Sequence, residues 1–285
     1  MMKNAIYYFS GTGNSLRAAQ RIAERLGDTE IISMRNNPEE VSGAEYEMIG
    51  FVYPVYHWTM PEPVVQFIEK LEINAKAYIF VVVMPSFVTG YACERLEEIL
   101  YKKNAVISYG AKVNSVANYA IVYPPMPSPK LVVPKTEKKL TKISDEIKAK
   151  KFKNIPRAGK MVRRRYSKVM PAYKSLQQYA DYPFTISEDC ISCGLCTRIC
   201  PCANIKMKDG KPSFQHHCAQ CMACVCHCPK RAIGYKIKEE ELAQLSDLFL
   251  NVPIVKMMGL PPKRKLYHNP YVKVSDLAKD RIRVE

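Results

Sequence analysis

The sequence has no uninterrupted apolar run of the ~18 residues that a membrane-spanning helix requires. Its longest apolar stretches, around Tyr78–Met84 and Leu248–Met258, are shorter than this. No signal-peptide pattern is present at the amino terminus, where Lys3–Phe9 has the pattern of a β-strand that leads into a glycine-containing loop. Glycine is limited to 12 residues, and a hydrophobic content of 47% excludes a wholly disordered chain. We therefore expect a soluble, folded, cytoplasmic protein.

Cysteine and positive charge, in contrast, are abundant. The chain of 285 residues has 11 cysteines and a formal net charge of +16, and its length predicts about two domains. Cys93 stands alone, whereas the other ten cysteines fall between Cys190 and Cys228. In a reducing cytosol, cysteines are more often metal ligands than disulfides. The cysteine-dense segment is therefore a candidate metal-binding domain.

The positive charge is also unevenly distributed. Residues 1–125 have a net charge of −2, whereas residues 126–189 have a net charge of +10. Five prolines mark the boundary between these segments, namely Pro124, Pro125, Pro127, Pro129 and Pro134. We divide the chain into an N-terminal domain (1–150), a basic connector (151–182), a cysteine-dense domain (183–235) and a tail (236–285). We expect a helix at Lys135–Lys153 that closes the first domain and another at Glu239–Leu250 in the tail, whose role the sequence does not predict.

The N-terminal domain alternates predicted strands with predicted helices. The strands are Ala5–Phe9, Glu30–Ser33, Met48–Tyr53, Tyr78–Met84 and Ala105–Tyr109, and the intervening helices include Pro63–Leu71 and Tyr91–Tyr101. The nearly continuous apolar run in Ile79–Val83 is typical of a strand that is buried on both faces. This pattern predicts an α/β fold with a doubly wound parallel sheet.

The loop after the first strand indicates the kind of ligand. Its sequence is Ser10-Gly11-Thr12-Gly13-Asn14-Ser15. It lacks the Gly-Lys-Ser/Thr of a P-loop, and Leu16 occupies the position of the third glycine in a dinucleotide-binding motif. Hydroxyl groups and glycine backbone N–H groups at a helix N-terminus favour a phosphate monoester.

This loop resembles the FMN-phosphate loop of flavodoxins, [Ser/Thr]-x-Thr-Gly-x-[Ser/Thr]. The resemblance implies bound FMN whose ring lies between the loops after the third and fourth strands. The implied residues are Pro54, Val55, Tyr56, His57 and Trp58 in one loop, and Pro85, Ser86, Phe87, Gly90 and Tyr91 in the other. A Gly-Thr-Gly turn alone is compatible with a purely structural role, and Tyr56 and Trp58 are equally compatible with ordinary packing. We interpret His57 as a solvated loop residue rather than a proton donor, and Cys93 as a small buried residue.

The cysteine-dense domain contains one motif twice. Cys190-x2-Cys193-x2-Cys196-x3-Cys200-Pro201 is followed by Cys218-x2-Cys221-x2-Cys224-x3-Cys228-Pro229. This arrangement resembles the two-cluster bacterial ferredoxins, a small α+β fold in which the fourth cysteine of each run binds the other cluster. The resemblance implies two [4Fe-4S] clusters, cluster 1 on Cys190, Cys193, Cys196 and Cys228, and cluster 2 on Cys218, Cys221, Cys224 and Cys200.

Zinc and disulfides are alternative uses of these cysteines. Two regular cysteine triplets, each followed by Cys-Pro, do not have the spacing that is typical of zinc sites. A disulfide framework is not expected in a reducing compartment. Cys202 and Cys226 are surplus to the eight ligands. We interpret them as packing residues, with N–H···S contacts or alternative ligation as the other possibilities.

Together the two halves resemble the flavodoxin–ferredoxin fusion proteins of anaerobic bacteria and archaea. The resemblance implies an electron-transfer iron–sulfur flavoprotein of anaerobic metabolism that links one-electron and two-electron redox partners. The alternative is a flavin-dependent reductase of a small quinone or nitro compound, fed through the clusters. No second glycine-rich βαβ unit for a nicotinamide cofactor is present in the sequence.

The basic connector raises the question of a partner. It includes Arg163-Arg164-Arg165 with Tyr166 and Tyr173 interleaved, a pattern that superficially matches a nucleic-acid-binding patch. A solvated linker is the simplest interpretation. As a partner we favour an acidic redox protein that docks near the clusters and the connector, over nucleic acid or a membrane surface.

Overall fold

The computed structural model describes residues 3–164, 166–167, 170, 180–237 and 259–285. Its largest part is a parallel sheet with helices on both faces. The parallel strands are β1 (Asn4–Tyr8), β2 (Thr29–Ser33), β3 (Met48–Pro54), β4 (Tyr78–Met84) and β5 (Ile107–Lys112). The helices are α1 (Asn14–Leu26), α2 (Glu62–Lys70), α3 (Ala92–Tyr101) and α4 (Pro129–Lys148), with a 3-10 turn at Pro38–Val41.

The parallel strands are arranged in the order β2-β1-β3-β4-β5, as in a doubly wound sheet. The order reverses between β1 and β3, whose carboxyl ends flank the crevice where such sheets bind ligands. All seven residues of β4 are buried, as its apolar sequence predicts. One face packs against α2 and α3 around Phe51, and the other packs against α1 and α4 around Leu16 and Leu140. The sequence-based prediction of a doubly wound α/β fold is thus confirmed for this part of the chain.

The predicted strands and helices agree with these bounds within a few residues, with one larger difference. The helix expected at Lys135–Lys153 is α4, which begins at Pro129 and ends at Lys148. Pro129 suits the first turn, where a missing N–H costs nothing. The helix ends before Lys150, whose φ of +48° is left-handed. Pro129 therefore begins a helix, whereas the sequence analysis interpreted it only as a marker of the boundary between two segments.

The cysteine-dense segment is built from two halves with the same backbone pattern. Its elements are β6 (Phe184–Ile186), α5 (Leu195–Ile199), β7 (Ile205–Lys208), β8 (Lys211–Phe214), α6 (Ala223–His227) and β9 (Ile233–Tyr235). β6 pairs with β9, and β7 pairs with β8. The helices α5 and α6 begin 28 residues apart, at residues 195 and 223.

The same offset of 28 residues relates unusual backbone conformations in the two halves. Left-handed φ values occur in the pairs Ser192 and Gln220, Gly194 and Met222, and Ala203 and Arg231. Non-glycine residues adopt this conformation rarely, so three matched pairs indicate that the sequence repeat is also a structural repeat.

The end of the chain completes the sheet of the N-terminal part. After α7 (Val274–Leu277), strand β10 (Arg281–Val284) pairs with β2 in antiparallel orientation and becomes the outer strand. The carboxylate of Glu30 in β2 is buried and accepts hydrogen bonds from Arg283 Nε at 3.0 Å and from the Tyr46 hydroxyl at 2.9 Å. The sequence did not predict this strand, and the predicted segments Glu239–Leu250 and Leu248–Met258 lie outside the described residues. No helix among the described residues combines the length and apolarity needed to span a bilayer.

We expect Glu30→Ala to destabilise the protein, because it removes the acceptor that joins β10 to β2. The free energy of unfolding should fall by about 1–3 kcal/mol, since a buried charged acceptor is lost. Glu24→Ala is a matched control, because Glu24 is half exposed and its ion pairs lie on the surface of α1. The control should stay within about 0.5 kcal/mol of the wild type in chemical denaturation. Equal losses in the two variants would contradict the role of Glu30 in holding β10 against β2.

Candidate functional site

The predicted phosphate loop lies between β1 and α1, at the carboxyl edge of the sheet. Gly13 has a φ of +94°, and its N–H donates to Ser10 Oγ at 3.1 Å. Within the described part of the chain, no carbonyl accepts from the N–H groups of Thr12, Asn14 or Ser15. The loop from Ser10 to Gly13 is buried, and the first turn of α1 has no acidic residue. Unpaired N–H groups at the positive end of a helix fit an anion.

The tail covers this loop, which the sequence did not predict. The Asn269 N–H donates to the Thr12 carbonyl at 2.8 Å. The Tyr267 hydroxyl donates to Asn14 Oδ1 at 2.9 Å, and Asn269 Nδ2 donates to the same oxygen at 3.1 Å. Tyr267 is separated from Asn14 by 253 residues, so no local pattern in the sequence signals the contact.

The two predicted flavin-ring loops follow β3 and β4 and contact each other. The Tyr91 N–H donates to the Trp58 carbonyl at 2.6 Å. Gly90 has a φ of +54°, and a Cβ there would lie 1.8 Å from the same carbonyl oxygen. Only glycine therefore fits at this position. Trp58 and Phe87 are 38% and 54% exposed at this edge of the sheet.

Tyr56 and His57 have different environments within the first of these loops. The Tyr56 ring is partly buried and packs against Phe9, with 6.3 Å between the ring centroids. The His57 side chain is exposed, and the Tyr119 ring lies edge-on to it with 6.0 Å between the ring centroids. Neighbouring protein atoms partly desolvate the imidazole, which lowers the pKa of His57.

Two further predicted loop residues are tied to the chain after β5. Ser86 accepts from Asn114 Nδ2 at 2.9 Å, and the Pro85 carbonyl accepts from the Ser115 N–H at 2.8 Å. Pro54 and Val55 are partly buried. Tyr119, in the same post-β5 segment, was missed by the sequence analysis. Its position after a parallel strand was the available signal, because ligand sites gather at carboxyl ends.

The cysteines of the second triplet share a cavity with a cysteine of the first run. Cys200, Cys218, Cys221 and Cys224 line one cavity together with Cys202. The predicted set for cluster 2 is therefore brought together, including the fourth ligand from the other half. None of the eleven cysteines forms a disulfide. The assignment of these four as cluster ligands stays a prediction.

The predicted set for cluster 1 is less enclosed. Burial raises the pKa of Cys196 to about 11, and the nearby thiols of Cys193 and Cys228 raise it by smaller amounts. Cys228, the last cysteine of the second run, therefore lies near the first triplet. Cys193 is exposed, and Cys190 and Cys228 are partly exposed. The fourth cysteine of each run accepts an equivalent hydrogen bond from a backbone N–H group. Cys200 Sγ accepts from the Asn204 N–H and Cys228 Sγ from the Ala232 N–H, both at 3.3 Å.

The donor chemistry of the cavity fits iron–sulfur clusters. Burial raises the pKa of Cys218 to about 12, so a neighbouring cation is needed to hold its thiolate form. Within the described residues, no three His, Cys, Asp or Glu side chains converge on a single-ion site. A cubane does not require that convergence, because its ligands bind different iron atoms at separate corners.

The cysteines outside the two sets have packing roles. Cys93 is fully buried in the N-terminal core, as predicted. Cys226 is buried, and its sulfur accepts from Asn118 Nδ2 at 3.2 Å. Cys202 lines the cavity beside the predicted ligands, although it is not one of the eight.

The two predicted cofactor motifs contact each other directly. A Cβ on Gly11 would lie 2.3 Å from the carbonyl oxygen of Cys221, so only glycine permits this approach. Ala219 is buried against the core that contains Phe9. The Tyr119 hydroxyl donates to Gln220 Oε1 at 2.7 Å, and the Gln220 N–H donates to Cys218 Sγ at 3.2 Å. The second cysteine loop thus lies on the phosphate loop.

The described part of the connector packs against the N-terminal domain. Arg157 forms a bidentate ion pair with Glu97, with N–O distances of 2.8 and 2.9 Å. Arg163 contacts buried Glu94 at 3.4 Å. The Tyr166 ring lies 4.8 Å from that of Tyr91, between centroids. These side chains are engaged within the protein, and Arg165 and Tyr173 lie outside the described residues.

The model of the flavodoxin domain family matches residues 5–109. No curated protein matches the chain. An archaeal flavodoxin has 16% identity and a TM-score of 0.37, with 52% of this chain and 99% of that chain covered. A Fusobacterium nucleatum flavodoxin bound to flavin mononucleotide has 16% identity and a TM-score of 0.39, with coverage of 54% and 100%. An FMN-dependent NADH-azoreductase from Bacillus anthracis has 9% identity and a TM-score of 0.37, with coverage of 52% and 99%. The family match and the sheet order show that the N-terminal part is flavodoxin-like.

Proposed function

We propose that this protein is a cytoplasmic electron-transfer iron–sulfur flavoprotein that passes electrons between two [4Fe-4S] clusters and one FMN. It links a one-electron redox protein to a two-electron partner in anaerobic metabolism. When bound, a flavin exchanges one or two electrons and each cubane exchanges one, which is the chemistry that this link requires.

The residues of the chain provide the two kinds of site. The N–H groups of Thr12, Asn14 and Ser15 at the N-terminus of α1 would hold the phosphate of FMN. The side chains of Trp58 and Phe87, both partly exposed, would contact its ring. The two sets of four cysteines would hold the clusters, with N–H···S bonds to Cys200, Cys218 and Cys228 that stabilise negative charge on sulfur.

The observation that carries the proposal is the contact between the two motifs. The Cys221 carbonyl lies against Gly11, and Tyr119 bridges His57 in a flavin-ring loop to Gln220 in the cysteine loop. A flavin site and a cluster site without a redox connection would not need this close approach. The burial of Ala219 in the N-terminal core holds the second cysteine loop against the N-terminal domain.

The alternative function, reduction of a small quinone or nitro compound at the flavin, needs a proton donor beside the ring. The described candidates do not favour it. Desolvation by neighbouring protein atoms lowers the pKa of His57, which makes it a weaker base, and Tyr56 packs against Phe9. Turnover of a quinone by chemically reduced protein, with no partner present, would support the enzyme instead of the carrier.

Anaerobic purification with iron, sulfide, zinc and flavin analysis tests the proposed function. We expect about eight iron atoms, a matching amount of sulfide and one FMN per chain. Zinc in place of iron, or a chain without flavin after anaerobic purification, would contradict the proposal. Aerobic purification serves as the control for oxidative loss of the clusters.

A further inference from the structure

The contact between the tail and the phosphate loop fixes the orientation of one peptide group in the loop. The Thr12 carbonyl accepts the Asn269 N–H at 2.8 Å, so it faces the tail. In a trans peptide the N–H points away from the carbonyl, so the N–H of Gly13 faces the opposite side. There it donates to Ser10 Oγ at 3.1 Å, within the loop. The bond to Asn269 therefore sets the direction of a loop N–H group.

This peptide group needs an outside contact because glycine makes its orientation easy to change. Gly13 has a φ of +94°, and glycine occupies left-handed and right-handed backbone conformations about equally readily. The loop sequence alone therefore does not select the one conformation that directs its N–H groups to a ligand. A loop that is fixed before binding loses less conformational entropy when the ligand binds.

The side chain of Asn14, in the same loop, is held by three hydrogen bonds. Its Oδ1 accepts from the Tyr267 hydroxyl at 2.9 Å and from Asn269 Nδ2 at 3.1 Å. Its Nδ2 donates to the Val116 carbonyl, after β5, at 3.2 Å. Asn14 is the first residue of α1, so these bonds fix the end of the helix that borders the loop. Tyr267 and Asn269 are 6% and 3% exposed, and hydrogen bonds shielded from water in this way are stronger than exposed ones.

The tail is itself anchored on both sides of this contact. The Tyr267 carbonyl accepts from Asn118 Nδ2 at 2.7 Å. Arg17 on α1 lies over the Tyr271 ring, 4.9 Å from its centroid, and β10 pairs with β2 further along the chain. Residues 267–272 include no aspartate or glutamate, so this segment adds no charge that would repel a phosphate.

We propose that Tyr267 and Asn269 are positioning residues of the flavin phosphate site, and that they make it prefer a flavin with a phosphate monoester over one without. The proposal rests on the proposed function and adds the residues outside the loop that set this preference. Asn269 acts through the Thr12 carbonyl and Asn14, and Tyr267 acts through Asn14. The ring of the flavin would bind at other loops, after β3 and β4. Loss of these contacts should therefore weaken binding of the phosphate and leave binding of the ring unchanged.

Three probes test this preference on the full chain, purified anaerobically and freed of flavin by dialysis against potassium bromide. The first two are FMN and riboflavin, which is the same flavin without the phosphate, and fluorescence titration gives the Kd of each. The third is inorganic phosphate, measured by its competition with FMN. It decides the outcome if riboflavin binds too weakly to be measured.

Tyr267→Phe is the main variant, because it removes one hydroxyl and keeps the ring. It should raise the Kd of FMN about three- to tenfold, the effect of one buried hydrogen bond, and weaken competition by phosphate to the same extent. The Kd of riboflavin should stay within about twofold. Asn269→Ala, which loses the amide and keeps the backbone N–H, should act in the same direction. Tyr271→Phe is the matched control, since Tyr271 is 54% exposed in the same segment, and it should change every constant less than about twofold.

The outcomes separate this proposal from the proposed function. A wild-type chain that does not bind FMN contradicts the proposed function itself. A wild-type chain that binds FMN, with a Tyr267→Phe variant that binds it equally well, overturns the positioning role alone. Weakening of FMN and riboflavin by the same factor also overturns it, because a general loss of structure would have that effect. So does an unchanged competition by phosphate, or equal weakening by Tyr271→Phe. If Asn269→Ala does not fold, Tyr267→Phe alone decides.

Discussion

Replacing Cys200 by serine is expected to remove about half of the iron, from about eight atoms per chain to about four. The cluster that is lost should be cluster 2, on the triplet of the other half, because Cys200 lines a cavity with Cys218, Cys221 and Cys224. The Asn204 N–H, which donates to Cys200 Sγ at 3.3 Å, would lose its sulfur acceptor as well. Iron analysis and low-temperature EPR of the reduced protein measure the effect.

Cys202→Ser is the matched control for this variant. Cys202 lines the same cavity, but it is not one of the eight predicted ligands, so its serine variant should keep all the iron. A double variant identifies which cluster is affected. Adding Cys218→Ser to Cys200→Ser should cause no further loss, whereas adding Cys190→Ser should remove the remaining iron. Full iron in Cys200→Ser, or half the iron in Cys202→Ser, would contradict the exchange of the fourth ligand between the halves.

Replacing Gly13 by valine is expected to abolish FMN retention. At a φ of +94° a β-branched residue is strained, and its Cβ would lie 3.1 Å from the Cβ atoms of both Asn269 and Val272. Strain of about 1–3 kcal/mol in the bound conformation corresponds to a loss of affinity of about 5- to 150-fold. The new methyl groups would also keep the tail from covering the loop. Flavin absorbance after gel filtration gives the occupancy, and circular dichroism shows whether the fold is kept.

Gly159→Val is the control for a valine at a glycine position. No atom of the described residues lies within 4 Å of a Cβ built on Gly159, so this variant should keep its flavin. The iron content of Gly13→Val distinguishes a local effect from general unfolding. Intact clusters with lost flavin would support the assignment of the phosphate loop, and full flavin occupancy in Gly13→Val would show that the assignment is wrong.

Much of the N-terminal fold could be predicted because its signals are local. The apolar run of β4 and the periodic apolar residues of α1 reflect burial of single segments, which short stretches of sequence encode. The bounds of α4 were less predictable. Whether Pro129 begins a helix or ends a segment depends on the turn before it, which a composition pattern does not specify.

The basic connector shows the limit of charge patterns. A run of arginines predicts a surface that binds anions, yet Arg163 contacts Glu94 and Arg157 pairs with Glu97. The sequence contains both the cations and these carboxylates, but it does not tell which of them meet. An arginine-to-alanine variant at 163 would therefore leave the buried Glu94 carboxylate without its arginine, with the Ala158 N–H as its remaining donor, and it would not report on docking alone.

The sequence by itself determined the chemistry of the candidate sites. The hydroxyl and glycine pattern of residues 10–15 and the spacing of the cysteines are local, so the donor groups and their order along the chain are fixed wherever the segments lie. Only the tertiary structure decided which segments meet. Tyr267 and Asn269 cover the phosphate loop, β10 extends the sheet, and Ala219 packs on the N-terminal core. These contacts join residues that are distant in the chain, and they form because burial of apolar surface and pairing of buried polar groups select among many possible arrangements.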